Sequence, residues 1–255
     1  MRELTTNISF GDTWEGIGRK INNHLANLDR NASDDKQKIL ELCQIGKLLC
    51  SYFDDFDIVK VSESPDFLIS NGDVSIGLEH QLILDPETKA KEGFYDNIFS
   101  KVEHNLIKDE TVPNFLINLI IKKDADLMIN NKGAIINRVT EILREFVLIG
   151  LLSDNDFILS AHKMRHSRKS INANYGGHLQ RSIDKELILE FLKKKEGKIE
   201  SYKRNSGPNQ WLVLVIGGLG ESSYEVANAF ELLLDTQFNK VLLYEDFSNR
   251  LFELK

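Results

Sequence analysis

The segment from Ser64 to Leu84, with the sequence SPDFLISNGDVSIGLEHQLIL, restricts the fold of this chain more than any other. It consists of two short apolar runs joined by Asn71-Gly72. Asn and Gly tolerate the positive φ angles that tight hairpin turns require, and the flanking Phe, Leu, Ile and Val residues favour strands. The sequence therefore predicts a β-hairpin with a two-residue turn.

The predicted turn determines which polar side chains share a face of the hairpin. A two-residue turn places Asp66 opposite Gly77, and because side chains alternate along a strand, Glu79 and Gln81 then lie on the same face as Asp66. A three-residue loop would instead put Asp66 and Glu79 on opposite faces. Burying two carboxylates is costly unless their charge is compensated, so this face predicts a cation, a basic partner or open solvent. We take a bound cation as the hypothesis.

The order of these residues resembles a known family signature. Pro65-Asp66, a turn, and then Glu79-His80-Gln81 after an apolar strand is similar to the motif of the PD-(D/E)xK nuclease superfamily, which has the restriction-endonuclease-like fold. The family motif ends in Lys, and this chain has Gln81 in that position. Gln is a minority variant that occurs in active members of the family and also in degenerate ones.

The resemblance implies a role for each residue of the motif. Asp66 and Glu79 are expected to bind Mg²⁺ or Mn²⁺, and Gln81 is expected to orient the attacking water. An amide cannot accept a proton at neutral pH or supply the positive charge of Lys, so Gln81 would act by hydrogen bonding alone. Glu41, on the apolar helix before the hairpin, matches a Glu that often joins the metal site; a helix-edge Glu paired with Lys47 is the open alternative.

The elements around the hairpin extend the resemblance over residues 36–122. Apolar spacing predicts a helix over 36–53 and another over 90–106, and β-favouring runs predict strands at 57–62 and 113–121. With the hairpin, the order becomes helix, three strands, helix, strand, which is the core order of the nuclease superfamily. The expected fold is α/β, with a three-layer core in which a central mixed sheet is flanked by helices.

The rest of the chain is predicted to complete one domain, residues 1–255. The predicted additions are a helix at 14–28, a helical and basic segment at 132–210 and a βαβ extension at 211–255. Within these segments we expect helices at 132–152, 182–195 and 222–234, strands at 157–160, 211–216 and 240–244, and a polar loop at 161–177.

Two clusters of basic residues are candidates for contact with nucleic acid. The net charge of −7 argues against a protein that coats nucleic acid nonspecifically, but it permits a local basic cleft. A solvated charged face is the alternative for either cluster. The candidate contact residues are Lys163, Arg165, Arg168, Lys169, Lys203 and Arg204. The expected partner is DNA rather than RNA, and the resemblance also allows a homodimer.

The apolar segments, the first residues and the two cysteines indicate in which cellular compartment the chain is expected. No segment has the apolar length needed to cross a bilayer, and the first residues lack a signal-peptide core. Cys43 and Cys50 are seven residues apart in a predicted helix, about 10 Å along its axis, which is too far for a disulfide. Both are expected to be buried thiols, and the chain is expected to be cytoplasmic.

Three functions are compatible with these patterns. The first is metal-dependent phosphodiester hydrolysis of nucleic acid by an endonuclease that uses Asp66, Glu79, Gln81 and Glu41. The second is a catalytically inactive nuclease-like fold that serves as a binding or scaffold module. The third is an unrelated α/β protein in which Asp66 and Glu79 have structural roles.

Overall fold

A computed structural model describes residues 1–6, 10–30, 32–122, 125, 131–174, 180–227 and 232–255. The elements of these residues, in chain order, are β1 (Arg2–Leu4), α1 (Phe10–Leu25), α2 (Ser33–Tyr52), β2 (Asp57–Val61), β3 (Phe67–Ser70), β4 (Ser75–Leu82), α3 (Pro86–Lys108), β5 (Leu116–Ile121), α4 (Lys132–Ile149), β6 (Ile158–Met164), β7 (Ser170–Asn174), β8 (Arg181–Ser182), α5 (Lys185–Glu196), α6 (Ile199–Ser206), β9 (Gln210–Ile216), β10 (Tyr224–Glu225), β11 (Lys240–Glu245) and β12 (Arg250–Glu253).

The chain divides into two compact units rather than the single domain predicted from its sequence. Unit 1 comprises Met1–Leu84 and Gln180–Lys255, and unit 2 comprises Asp85–Leu179. The single-domain prediction is wrong because α3, α4 and β5 bury their apolar residues around a core of their own. Unit 2 is therefore an insertion between β4 and β8.

Unit 1 is built on a seven-stranded sheet with the order β1-β12-β11-β9-β4-β3-β2. The neighbours β4, β9 and β11 are parallel, whereas the other pairs are antiparallel. Val213 and Val215 of β9 pack in the core that includes α1 and α2, and Leu212 and Leu214 pack in the core that includes α5 and α6. The predicted mixed sheet flanked by helices is thus confirmed.

The hairpin forms where the sequence predicts it, but its loop is longer. Ser70 pairs with Ser75, so the loop has four residues, Asn71–Val74, rather than two. The Asn71 side chain explains the length, because its Oδ1 accepts hydrogen bonds from the backbone N–H groups of Asp73 at 3.2 Å and Val74 at 3.0 Å. Gly72 has a φ of 94°, the left-handed conformation expected for this position.

The longer loop changes which residues pair across the hairpin but keeps the predicted alternation of side chains along its strands. Leu68, not Asp66, lies opposite Gly77, so that part of the prediction is wrong. The observed loop is two residues longer than the predicted one. Because two is an even number, the side chains of both strands still point to the predicted sides of the sheet. One step beyond the last pair of β3, the register brings Asp66 opposite Glu79.

The strand predicted at 113–121 does not belong to the hairpin's sheet. It forms β5, the central strand of a three-stranded sheet in unit 2 with the order β6-β5-β7. The position beside β4 is taken by β9, which runs parallel to it. The predicted core over residues 36–122 is therefore wrong, because Ile117, Leu119 and Ile121 pack against α3 and α4.

Four other predicted segments also differ. The segment 161–177, predicted as a loop, contains most of β6 and all of β7, and the predicted segment 132–210 is divided between the two units. The predicted helix at 222–234 is absent from its described residues, 222–227 and 232–234. There β10 pairs with β8, and Glu245 Oε1 accepts a hydrogen bond from Val226 N at 2.8 Å. Since β9 lies inside the sheet, 211–255 is not a βαβ extension.

Two predictions from composition can be compared with the structure. Along the described ranges, no helix is both long and apolar enough to span a membrane. Cys50 is buried, but Cys43 is exposed, so the prediction of two buried thiols is wrong for Cys43.

Candidate functional site

Three carboxylates lie around the start of the hairpin: Asp66 and Glu41 meet at Lys38 of α2, and Glu79 contacts Lys195 of α5. Asp66 precedes β3, Glu79 lies in the middle of β4, and Glu41 lies in the middle of α2. Only 3% of Glu79 and 8% of Glu41 are exposed, and 15% of the Asp66 side chain is exposed. Since ionised carboxylates are rarely buried without compensation, the groups around them determine what this site can do.

Asp66 carries the strongest electrostatic perturbation of the three. Its Oδ2 accepts a hydrogen bond from His80 N at 2.9 Å, and its Oδ1 is 3.7 Å from Lys38 Nζ. Burial, the charge of Glu79 and, to a smaller extent, that of Glu41 raise the pKa of Asp66 to about 7. Asp66 therefore holds a proton through much of the acidic range, and a cation would favour its ionised form.

Glu41 is held by two neighbours on its own helix. Lys38 Nζ is 3.1 Å from Glu41 Oε2, and Gln37 Nε2 donates to Glu41 Oε1 at 3.0 Å. Lys38 therefore lies between Glu41 and Asp66, and it also donates to Ser62 O at 3.2 Å. Burial lowers the pKa of Lys38, but Glu41 and Asp66 outweigh burial and the pKa is raised overall. The predicted alternative partner of Glu41, Lys47, instead pairs with Asp246 at 3.1 Å.

Glu79 is paired with Lys195, a residue that sequence reasoning did not select. Lys195 Nζ donates to Glu79 Oε1 at 2.6 Å, with 16% and 5% of the two side chains exposed. The sequence does contain a signal for this contact. Lys195 lies three residues after Leu192 and seven after Ile188, so it shares the buried face of α5 with them.

The second carboxylate oxygen of Glu79 is a buried acceptor. Among the described residues, Glu79 Oε2 has no hydrogen-bond partner, and neither has the buried Tyr202 hydroxyl. The two groups nevertheless lie side by side, because burial, the charge of Glu79 and a side-chain hydrogen bond to Glu79 all raise the pKa of Tyr202 strongly. Glu79 therefore has one oxygen on the Lys195 ammonium group, and its other oxygen lies beside the Tyr202 hydroxyl without a hydrogen bond of standard geometry among the described residues.

Gln81 shares the face of β4 with Glu79, as the alternation of strand residues predicts. Its Nε2 donates to Leu82 O at 2.6 Å. The other face of β4 carries His80, whose Nε2 lies 2.8 Å from Gln44 Oε1. Burial lowers the pKa of His80 to about 4, so His80 is neutral at physiological pH and helps to fix β4 on α2.

The predicted nucleic-acid contacts have different environments. Lys163 Nζ donates to Val147 O at 2.6 Å, and Lys169 Nζ donates to Leu106 O at 3.0 Å and Asp109 O at 2.6 Å, so both amino groups bind carbonyls at helix ends. Arg165 and Arg168 are exposed.

Lys203 and Arg204 belong to unit 1, whereas the other four candidates belong to unit 2. Lys203 Nζ donates to Glu200 at 3.2 Å and to Gln237 at 2.8 Å, and Arg204 is exposed.

The donor chemistry of the site fits a hard divalent cation only in part. In the described part of the chain, no group of three or more His, Cys, Asp or Glu side chains is arranged to hold a metal ion. Mg²⁺ needs fewer, because it commonly binds one or two carboxylates together with waters and substrate phosphate. Asp66 and Glu79, which lie opposite each other one step beyond the last hairpin pair, supply the two carboxylates of that smaller requirement.

Comparison of the chain with protein-family models, with curated proteins and with solved structures gave no match. The functional argument therefore depends on the geometry of the site and on general chemistry.

Proposed function

We propose that this chain is a metal-dependent phosphodiesterase that cleaves nucleic acid, an endonuclease whose site comprises Asp66, Glu79, Glu41 and Lys195. The observation that carries the proposal is the position of Asp66 one step beyond the last hairpin pair, opposite Glu79, with both side chains largely buried and the pKa of Asp66 raised to about 7. Such shifts concentrate at functional sites, because catalytic and ligand-binding groups need pKa values matched to their task.

The topology of unit 1 supports the proposal. Without unit 2, the chain runs through α2, then β2, β3 and β4, then α5 and α6, and then β9 parallel to β4. Apart from the two-residue strand β8 and the division of the second helical segment into α5 and α6, this is the order helix, three strands, helix, strand, which resembles the restriction-endonuclease-like core. In this interpretation β9 is the strand that completes the core, and unit 2 is an insertion after the catalytic hairpin.

Asp66 and Glu79 would hold the cation. When bound, Mg²⁺ or Mn²⁺ neutralises charge on the phosphate and lowers the pKa of a bound water. Asp66 would have to lose its proton to hold the cation, and Glu79 would offer the oxygen that lies beside the Tyr202 hydroxyl. Glu41, linked to Asp66 through Lys38, would complete the acidic side of the site.

Lys195 would supply the positive charge that Gln81 lacks. The Lys195 ammonium lies on Glu79, so it reaches the same space from α5 that a Lys at position 81 would reach from β4. It would stabilise negative charge on the phosphate in the transition state. Gln81 would orient water by hydrogen bonding.

A catalytically inactive nuclease-like binding module is the second candidate. The observation that favours it is that Lys38 and Lys195 already compensate Glu41 and Glu79 within the protein. A site whose charges are balanced has less need of a metal ion.

One assay separates the two candidates. The chain is incubated with single- and double-stranded DNA and RNA, with Mg²⁺ or Mn²⁺, beside E79Q, K195Q and the control E63Q. Glu63 is a nearby carboxylate with a side chain that is 90% exposed. We expect cleavage, with DNA preferred, and loss of at least about 100-fold for E79Q and K195Q but not for E63Q.

Cleavage that survives in E79Q would contradict the proposed site. A folded chain without cleavage under any of these conditions would support the binding module. The cytoplasmic location and the homodimer stay predictions from the sequence.

A further inference from the structure

The three-stranded sheet of unit 2 has one covered face and one open face. Ile117, Leu119 and Ile121 point inward, into the core formed with α3 and α4. We name the opposite side the outer face. Its polar and sulfur-containing members are all at least partly exposed: Asn118, Ser160, His162, Met164, Ser170, Asn172 and Asn174.

Hydrogen-bonding groups form a row across the middle of the outer face. His162 of β6 lies opposite Asn118 of β5, which in turn lies beside Asn172 of β7. Asn172 Nδ2 donates to Asn118 Oδ1 at 3.0 Å, which fixes the orientation of both amides. The row crosses three strands, about 10 Å, and presents donors and acceptors without a formal negative charge.

The segment that contains β6 and β7 is basic, although Glu103 of α3 accepts a hydrogen bond from Ile171 N of β7 at 2.6 Å. No Asp or Glu occurs between Asp156 and Asp184, a stretch that includes β6 and β7. Arg165 and Arg168 lie in the connection between these two strands and are exposed, and no carboxylate of the described residues forms an ion pair with either of them. Lys163 and Lys169 bind helix carbonyls instead, so the two arginines are the cations available to a ligand.

We infer that the outer face binds a single-stranded segment of nucleic acid. His162, Asn118 and Asn172 would contact the exposed edges of unpaired bases, and Arg165 and Arg168 would contact phosphates. Guanidinium groups bind phosphate in two-point geometry, and amides pair with base edges. Single strands fit because a flat sheet cannot enter a duplex groove, whereas unpaired bases can lie against it.

This inference deepens the proposed function, because it assigns substrate binding to unit 2. Of the six residues predicted from the sequence to contact nucleic acid, the inference uses only Arg165 and Arg168. It also adds three uncharged residues that sequence reasoning did not select.

Direct binding of the full chain tests the inference without any need for catalysis. Fluorescently labelled 20-residue single-stranded and duplex oligonucleotides are titrated in EDTA at several salt concentrations. R165E is compared with R138E, which makes the same charge change on α4, where Arg138 is exposed beside Glu141 at 3.7 Å. N118A tests the row of hydrogen-bonding groups.

We expect the single strand to bind more tightly than the duplex. R165E should weaken single-strand binding by about fivefold or more, and R165A should reduce the slope of log K against log salt by about 0.7. N118A should weaken binding with the slope unchanged, because it removes a neutral contact. R138E should stay within about twofold of the unaltered chain.

Any of three results would overturn the inference. R165E and R138E could weaken single-strand binding equally, the duplex could bind more tightly than the single strand, or the single strand could fail to bind. Circular dichroism of every variant separates loss of binding from loss of fold. Cleavage by a chain whose binding is unaffected by R165E would overturn the inference while the proposed function stands. Binding that depends on Arg165 in a chain that never cleaves would support the inference and count against the endonuclease.

Discussion

The replacement of Asp66 by Asn tests the electrostatics of the site most directly. Asn has nearly the same shape and can still accept the hydrogen bond from His80 N, but it cannot ionise. The variant therefore removes the charge of Asp66 from the vicinity of Glu79 and leaves the packing unchanged.

The expected magnitude follows from the pKa of Asp66. Folding raises this pKa from 3.8 to about 7, so the folded state holds the proton more tightly than the unfolded state. The contribution of Asp66 to stability is fully present below about pH 4 and is lost as the pH rises towards 7. At 1.36 kcal/mol per pKa unit, ionised Asp66 costs the folded state up to about 4 kcal/mol at pH 8.

Urea unfolding of the two proteins between pH 4 and pH 8 measures this cost. We expect D66N and the unaltered chain to be equally stable near pH 4. The difference in the free energy of unfolding should then grow by about 1.4 kcal/mol per pH unit in favour of D66N and level off above pH 7. The control D73N removes an exposed carboxylate of the hairpin loop and should give no such pH dependence.

A D66N variant that is less stable than the unaltered chain at pH 8 would refute the reasoning. That result would mean that the attraction of Asp66 to Lys38 exceeds the costs of burial and of repulsion by Glu79. Mg²⁺ adds a second readout, since it should stabilise the unaltered chain at pH 8 and leave D66N unchanged.

Three further substitutions have expected effects on stability in the same urea assay. K195M should destabilise the chain by about 3 kcal/mol or more, because it leaves a buried carboxylate without its cation; a neutral result would mean that the carboxylate takes up a proton at little cost. G77A should cost about 1 to 3 kcal/mol, because the new Cβ would overlap the side chain of Gln210, whereas G93A meets open space in a helix and should stabilise slightly. K169M should cost about 1 to 2 kcal/mol and speed hydrogen exchange in the last turn of α3, since its ammonium binds carbonyls there; unchanged exchange would contradict that role.

Local signals in the sequence predict the elements of unit 1 well. The helix predicted at 36–53 is α2, Ser33–Tyr52, and the strand predicted at 57–62 is β2, Asp57–Val61. These elements have strong periodicity and clear breaks, which a sequence displays directly. The alternation of side chains along β3 and β4 was predictable for the same reason, because it depends only on an even loop length. The shared face of Asp66 and Glu79 stays a prediction.

Pairing partners were not predictable in the same way. The runs that form β5 and β9 are both short and apolar, so periodicity cannot tell which of them lies beside β4. Tertiary packing decides, since β5 is buried by α3 and α4 in unit 2. The contact of Lys195 with Glu79 was missed because it joins two elements separated by the whole of unit 2, although the buried face of α5 marked Lys195 as a candidate.

The insertion of unit 2 also has a consequence for the order of folding. The Glu79–Lys195 pair joins residues 116 positions apart, and closing a flexible loop of that length costs about 4 kcal/mol of chain entropy. Contacts across such separations form late unless the intervening chain becomes compact first. Unit 2 has its own core, so it can fold before β4 and β9 pair. We therefore expect the hairpin to be present early and the complete site to be among the last parts of the molecule to assemble.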